Sequence, residues 1–165
     1  MLTPTFADKQ RIVARLIAAL REEWEGFKRA AKAAQAAATD PDSKAENKYD
    51  TRNLEASYLA RGVAFRVAET EAVLAEWEAM PLPDFSAMRP VGVGALVVLE
   101  NEDGALGYFL GPGGGGVSVV HEGLEVTAIT ASSPLGKQLM KRQEGALFLM
   151  ESGPRRLRTT LVAVC

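Results

Sequence analysis

Residues 6–50 read FADKQRIVARLIAALREEWEGFKRAAKAAQAAATDPDSKAENKYD, and this stretch decides the fold. Up to Ala38 its apolar positions recur at steps of four and three, the spacing of a helix that packs along one seam. The seam positions are Phe6, Val13, Ile17, Leu20, Trp24, Phe27, Ala31, Ala34 and Ala38. A helix of this length spans roughly 45 to 50 Å at about 1.5 Å per residue, so we expect a long first helix.

The segment Asp40-Pro41-Asp42-Ser43 breaks the heptad pattern with residues that favour turns and helix caps. Ser43 followed by Glu46 matches a capping box, which predicts a second helix from there to about Met80. Its predicted seam positions are Tyr49, Asn53, Ala56, Ala60, Val63, Val67, Thr70, Leu74 and Trp77. A short connection makes the helices antiparallel neighbours, with facing positions whose numbers sum to about 87.

The pattern changes after residues 81–90, which contain three prolines and are predicted to form a stiff linker. Alternating, β-branched segments then predict five or six strands, with a hairpin turn at Asp103-Gly104 and one short helix within Ser133–Arg142. The predicted strands cover residues 95–100, 106–110, 117–120, 124–130, 146–150 and 157–164. The predicted fold is α+β: a long antiparallel coiled-coil hairpin over residues 1–80, with its tip at about residues 39–46, followed by a small antiparallel β domain over residues 91–165.

Composition excludes several classes of protein. The 165-residue chain is 47% hydrophobic and carries a formal net charge of -2, so disorder and a globally basic nucleic-acid surface are both disfavoured. The single cysteine, Cys165, excludes a disulfide framework and a cysteine metal site. Without a long apolar segment, we expect a cytoplasmic protein that does not enter a membrane.

Carboxylates cluster around the predicted tip, where residues 40–50 contain Asp40, Asp42, Glu46 and Asp50. Such a cluster can share a Mg²⁺ ion, because this cation prefers hard oxygen ligands and takes only one or two from protein. Acids at a helix start also cap its N–H groups and complement its dipole. Both interpretations stay open from the residues alone.

Basic side chains exceed acidic ones between residues 28 and 66, by eight to five. Lys44, Lys48 and Arg52 are the basic residues nearest the tip on its C-terminal side, and they are candidates for facing RNA or a phosphate-rich channel. A solvated coiled-coil surface is the alternative.

The glycine run at residues 111–116 lacks the features of a phosphate loop and is predicted to be a flexible hairpin loop. The lone His121 is assigned to a surface or strand end.

The most specific string is Ser133-Pro134-Leu135-Gly136-Lys137-Gln138-Leu139, a capped helix start with an early proline. It resembles the Ser-Pro-Leu-Gly-Lys segment of the GreA/GreB family of transcription elongation factors. The acidic tip followed by Glu46-Asn47 and Tyr49 is similar to the tip of that family's helical hairpin. The resemblance covers nearly the whole chain.

The resemblance implies an FKBP-like C-terminal domain that docks on bacterial RNA polymerase through residues 133–137. The hairpin would enter the secondary channel as a monomer and meet nascent RNA only indirectly. Asp42 and Glu46, with Asp40 as a further candidate, would help hold a Mg²⁺ ion at the polymerase active site, so that the polymerase cleaves its own backtracked transcript. The chain itself would be an accessory factor without its own cofactor, not an enzyme.

Two departures from the family pattern keep alternatives open. Asp42 and Glu46 are four residues apart, with Lys44 between them, whereas the cleavage-active pattern spaces its acids by three. A non-cleaving channel occupant is therefore one alternative. An FKBP-like interaction or chaperone module is the other, although Tyr108, Phe109 and Phe148 supply few aromatic rings for a prolyl isomerase pocket.

Overall fold

The computed structural model describes residues 3–40, 51–85 and 88–165. The chain divides into two compact units. Met1–Ala18 and Glu76–Cys165 form the first, here called the sheet unit, and Ala19–Ala75 form the second, the hairpin unit. The sequence predicted a hairpin over residues 1–80 and a β domain over residues 91–165. In the structure, the start of the first helix and the end of the second both belong to the sheet unit.

Helix α1 covers Phe6–Thr39 and helix α2 covers Arg52–Ala79, which confirms the long helical hairpin. A reciprocal cap begins α1: the Thr5 N–H donates to Asp8 Oδ2 at 2.9 Å, and the Asp8 N–H donates to Thr5 Oγ1 at 3.2 Å. This satisfies N–H groups that the first helical turn cannot pair internally. No described helix is long and apolar enough to cross a membrane.

The seam predicted from the heptad pattern is confirmed in the hairpin unit. Each predicted seam residue whose side chain is described there is buried or half-buried, while most of the positions between them are exposed. The Arg66 guanidinium also lies 5.6 Å from the centre of the Phe27 ring, so side chains of α1 and α2 meet. These residues are Leu20, Trp24, Phe27, Ala31, Ala34 and Ala38 on α1, and Ala56, Ala60, Val63, Val67, Thr70 and Leu74 on α2.

The predicted start of the second helix at Ser43 lies outside the described part of the chain, in which α2 begins at Arg52. Thr51 is described and is not helical, and its carbonyl accepts the first helical hydrogen bond from the Glu55 N–H at 2.9 Å. The Thr51 hydroxyl also donates to the Glu55 carboxylate at 3.3 Å. The hydrogen bonds between Thr51 and Glu55 therefore mark the N-terminal end of the described helix α2, which begins at Arg52.

One sheet forms the body of the sheet unit. Its strands lie in the order β3-β4-β2-β1-β6-β5, and the short helix α3 covers Pro134–Leu139 between β4 and β5. The strands are β1 Leu96–Asn101, β2 Gly104–Gly111, β3 Ser118–His121, β4 Leu124–Thr130, β5 Leu147–Ser152 and β6 Arg155–Val164. The predicted strands and helix all appear, with ends shifted by a few residues at most positions.

The sheet is mixed, not wholly antiparallel as expected. β2 pairs with β4 in parallel, from Gly107 opposite Val126 to Gly111 opposite Thr130, while the other described pairings are antiparallel. The chain turns back at β3 before it reaches β4, so β4 runs in the direction of β2. Residues Leu96–Leu99 of β1 are buried without alternation, because both faces of this strand are covered.

The predicted linker over residues 81–90 is described at residues 81–85 and 88–90, and part of it packs into the sheet unit. Phe85 is buried and belongs to the hydrophobic core, together with Val97, Leu110 and Leu161. Lys9 of α1 is fully buried, and its ammonium donates to the Pro83 carbonyl at 2.5 Å and to the Cys165 carbonyl at 2.9 Å. Burial lowers the pKa of Lys9, and the two carbonyls compensate part of the lost hydration.

The glycine run does more than connect two strands. The Gly113 carbonyl accepts a hydrogen bond from Trp77 Nε1 at 2.9 Å, and the Trp77 ring lies 5.3 Å from the ring of Phe109. A Cβ atom at Gly111 would overlap the Trp77 ring. The loop therefore holds the end of α2 within the sheet unit.

His121 ends β3 as expected, but it is buried, with 9% of its surface exposed.

Candidate functional site

The Ser133–Lys137 motif forms the junction between β4 and α3. Ser133 is the N-cap residue: its hydroxyl donates to the Thr130 carbonyl at 2.7 Å and accepts from the Gly136 N–H at 3.0 Å. Pro134 occupies the first helical turn, where its missing N–H has no cost. Ser133 and Pro134 thus have a local structural reason that is independent of any partner.

Close packing at position 136 requires a residue without a side chain, which is Gly136. It is buried, and a Cβ atom there would overlap the Thr130 carbonyl oxygen. Leu135 packs against the hydrophobic core from a half-buried position. Lys137 differs from its neighbours, because its side chain is exposed while its N–H is held by the Ser133 carbonyl at 2.9 Å. Of the five motif residues, Lys137 is the cation that this junction presents to solvent.

A shallow cavity of about 160 Å³ opens beside the start of α3. Pro134, Leu135 and Gln138 line one part of it, and Leu106, Tyr108, Met150 and Glu151 line the rest. Burial, followed by the charge of Glu125, raises the pKa of Tyr108, so its phenol stays protonated and polar. The motif therefore combines an exposed ammonium with a partly apolar depression.

The predicted tip residues Asp42 and Glu46 lie outside the described residues, and so do Lys44 and Lys48. Asp40 is described, is exposed and directly follows the end of α1. Arg52 is exposed as the first residue of α2. Of the candidate tip acids and the candidate channel-facing basic residues, the structure thus describes only Asp40 and Arg52.

Other basic side chains of the hairpin unit are exposed along both helices. Lys28 lies 4.1 Å from the centre of the Trp24 ring and 3.3 Å from a Glu25 carboxylate oxygen. Arg66 pairs with Glu69 at 3.7 Å. The exposed basic residues described between positions 28 and 66 are Lys28, Arg29, Lys32, Arg52, Arg61 and Arg66. Exposed pairs of this kind add little stability, so the charges remain accessible to an anionic surface.

Sequence reasoning missed an exposed apolar stripe on α2. Leu54, Tyr58 and Phe65 are exposed by 56%, 63% and 64%, although each is large and apolar. At about 100° per residue they share one face of the helix with Arg61, opposite the seam around Val63. Their spacing of four and seven was a signal in the sequence, but the stronger seam pattern on the same helix obscured it.

The described aromatic side chains of the sheet unit fall into two groups. Phe109 is buried against Trp77, whereas Phe148 belongs to the hydrophobic core that contains Phe85 and Leu161. Tyr108 precedes Phe109 on the same strand and points to the opposite face, where it packs against the core cluster that contains Phe148 and Phe85. Two of the three rings considered for a prolyl isomerase pocket, Tyr108 and Phe148, thus contribute to one hydrophobic core.

Together these features define a two-unit protein: a helical hairpin, and a six-stranded sheet that carries a capped Ser133–Lys137 junction. No protein-family model matches the sequence, and a search of curated proteins finds no match.

Three similar solved structures are factors of the family that the sequence motifs resemble. Gfh1, or GreA factor homolog 1, of Thermus thermophilus is 16% identical, and the match covers 90% of this chain and 94% of that chain with a TM-score of 0.38. Gfh1 of Thermus aquaticus is 20% identical over 94% of each chain, with a TM-score of 0.39. The GreA/GreB factor from Nitrosomonas europaea is 18% identical over 71% of this chain and 94% of that chain, with a TM-score of 0.33. Superpositions this loose decide neither the fold nor the function of this chain.

Proposed function

We propose that this chain is a transcription elongation factor of the GreA/GreB type that binds bacterial RNA polymerase in the cytoplasm as a monomer. The observation that carries the proposal is the combination of a helical hairpin, acidic in its connecting sequence, with a Ser133–Lys137 junction on a separate compact unit. The factor is an accessory protein: the polymerase supplies the chemistry, and this chain supplies positioned groups.

The sheet unit is the docking unit in this proposal, and we propose an FKBP-like fold for it. Lys137 supports this assignment because it is exposed at a junction whose other residues are held by local contacts. An exposed ammonium beside a partly apolar depression suits a partner surface that is acidic and partly apolar. Residues 133–137 would therefore contact the rim of the secondary channel.

The hairpin would enter that channel with its tip first. Asp42 and Glu46, with Asp40 nearby in sequence, supply hard carboxylate oxygens, the donor type that Mg²⁺ prefers. When bound, the ion would polarise the phosphate that the polymerase cleaves. Lys44, Lys48 and Arg52 would lie beside the displaced RNA end and neutralise its phosphates.

Binding can be tested on the full chain with purified core polymerase in a pulldown at low salt. Lys137→Glu should weaken binding about tenfold or more, because it places a carboxylate against an acidic partner surface. Arg155→Glu is the control, since Arg155 is also exposed but pairs with Glu102 and Asp103, which do not line the depression. Absence of wild-type binding, or equal loss in both variants, would refute the proposed docking surface.

A non-cleaving channel occupant remains the second candidate. The observation that favours it is the four-residue spacing of Asp42 and Glu46, with the cationic Lys44 between them. One extra residue across a turn displaces a side chain by up to about 3.5 Å, enough to remove one oxygen from a metal's coordination shell. Such a protein would occupy the channel and exclude cleavage-active factors.

A further inference from the structure

A histidine and two carboxylates meet in the sheet unit, away from both proposed polymerase contacts. Asp8 lies in the first turn of α1, His121 ends β3, and Glu122 begins the turn to β4. One ligand atom from each residue can be chosen so that all three lie within 4.8 Å of one another. We propose that Asp8, His121 and Glu122 bind a divalent transition-metal ion of the zinc class.

The distance between the His121 and Asp8 donor atoms suits zinc. His121 Nε2 lies 3.2 Å from Asp8 Oδ1. In a tetrahedral site with bonds of about 2.0 to 2.1 Å, two neighbouring ligand atoms are separated by about 3.3 Å. The nitrogen and oxygen are therefore already spaced as two corners of such a site, and an ion placed between them would replace their hydrogen bond.

The Asp8 carboxylate is oriented before any ion arrives. Its Oδ2 accepts hydrogen bonds from the Thr5 hydroxyl at 2.6 Å and from the Thr5 N–H at 2.9 Å, so Oδ1 is directed towards His121. Supporting hydrogen bonds of this kind fix a metal ligand and reduce the ordering needed on binding.

The imidazole is sheltered while the third ligand is not. The side chains of His121 and Asp8 are 10% and 16% exposed, whereas Glu122 is exposed at the turn. Glu122 can therefore swing towards the ion, and water can complete the coordination from the solvent side. Arg11 lies 3.5 Å from Asp8 Oδ1, but its side chain is 67% exposed and is free to turn away.

The donor set selects the class of ion. One imidazole nitrogen with two carboxylate oxygens suits zinc and its neighbours, whereas Mg²⁺ and Ca²⁺ prefer oxygen ligands alone. The site is thus distinct from the magnesium role proposed for Asp42 and Glu46. Its effect would be structural, because it joins the first turn of α1 to the β3–β4 turn within the sheet unit.

The chain has a single histidine, which gives the experiment an unambiguous probe. Metal-free full-length protein is titrated with ZnCl₂ while the ¹⁵N signals of the His121 imidazole are followed by NMR. We expect saturation at one zinc per chain, a large shift of the Nε2 signal, and no competition from excess Mg²⁺. Zinc should also raise the thermal unfolding midpoint, and a chelator should reverse the rise.

Variants separate this site from adventitious binding. His121→Asn and Asp8→Asn should weaken zinc binding at least tenfold, and Glu122→Gln several-fold. Glu125→Gln is the control, because Glu125 is an exposed carboxylate on the same β-hairpin and should change nothing. If His121→Asn or Asp8→Asn unfolds, the zinc affinity of Glu122→Gln still tests the proposal, because the Glu122 side chain is exposed. An unchanged imidazole spectrum on zinc addition, or equal zinc affinity in wild type and Glu122→Gln, would overturn the proposal.

Discussion

Gly111 is the residue whose small size the sheet unit most clearly needs. A Cβ atom added at Gly111 would overlap the Trp77 ring, so Gly111→Ala forces the ring or β2 to move and should lower stability by about 1 to 3 kcal/mol. Gly115→Ala in the same loop should change stability by less than about 0.5 kcal/mol, since its nearest contact would be an ordinary 3.5 Å. Urea unfolding followed by tryptophan fluorescence, in a Trp24→Phe background that leaves Trp77 as the reporter, measures both. Equal effects of the two variants would contradict this view of the loop.

Asp8 gives a prediction about pH. Hydrogen bonds from Thr5, and then from His121, lower its pKa from 3.8 to about 2. Because the folded-state pKa is depressed, the carboxylate adds stability above the unfolded value, and this contribution is lost as pH falls from about 4 to about 2.

Asp8→Asn removes this titration. The wild type should therefore be more stable than Asp8→Asn near neutral pH, by about 1 kcal/mol for a lost cap interaction, and the difference should shrink between about pH 4 and pH 2. Urea midpoints measured across this range test the prediction. A difference that stays constant down to about pH 2 would show that the Asp8 carboxylate is not specifically stabilised in the fold.

Helix α2 shows what a sequence pattern predicts well and what it hides. The seam residues Ala60, Val63 and Val67 are half-buried as the heptad spacing predicted, because side chains three and four apart must share a face. The exposed stripe through Tyr58 and Phe65 was not predicted, since apolar side chains on two opposite faces look continuous in sequence. The burial of a position, not its hydrophobicity, distinguishes the two faces.

The same substitution at two nearby positions tests this distinction. Val63→Gln should lower the stability of the hairpin unit by about 1 to 2 kcal/mol, because it places an amide in the seam. Phe65→Gln should alter stability by less than about 0.5 kcal/mol despite removing a larger side chain, since Phe65 is 64% exposed. Thermal unfolding followed by far-UV circular dichroism compares them. A larger loss at Phe65 would mean that the stripe, not the seam, is covered in solution.

Strand positions were predicted more accurately than strand partners. Alternation locates β4 at Leu124–Thr130, but it does not specify that β4 lies in parallel beside β2. The partner depends on the direction in which the chain leaves β3, which is a tertiary property. The Asp8–His121 contact was missed for the same reason, because the two residues are 113 positions apart.

At the scale of the whole molecule, the first turns of α1 belong to the sheet unit, which the heptad pattern did not predict. Lys9, Ile12 and Leu16 are buried within the sheet unit, and Lys9 contacts the Pro83 and Cys165 carbonyls. The heptad spacing continues unchanged through this region, so it gives no sign of where the packing partner changes. Removing residues 91–165 would uncover these side chains, and point substitutions are therefore the better probes of function.

The two proposed activities, polymerase binding and stimulation of transcript cleavage, should depend on different units of the chain. Asp42→Asn and Glu46→Gln should abolish transcript shortening in stalled polymerase complexes while binding stays unchanged, because only the metal-holding oxygens are altered. Lys137→Glu should weaken both binding and shortening, and a higher protein concentration should restore shortening, because its tip is intact.

The assay compares RNA length and polymerase binding across a concentration series of each variant. Shortening that persists in both tip variants would exclude Asp42 and Glu46 as metal-holding residues. Wild-type binding without shortening would instead favour the non-cleaving occupant, since the spacing of the acids around Lys44 would then prevent the two carboxylates from sharing one ion. In that case the wild type should block a cleavage-active factor, and Lys137→Glu should block it only at higher concentration.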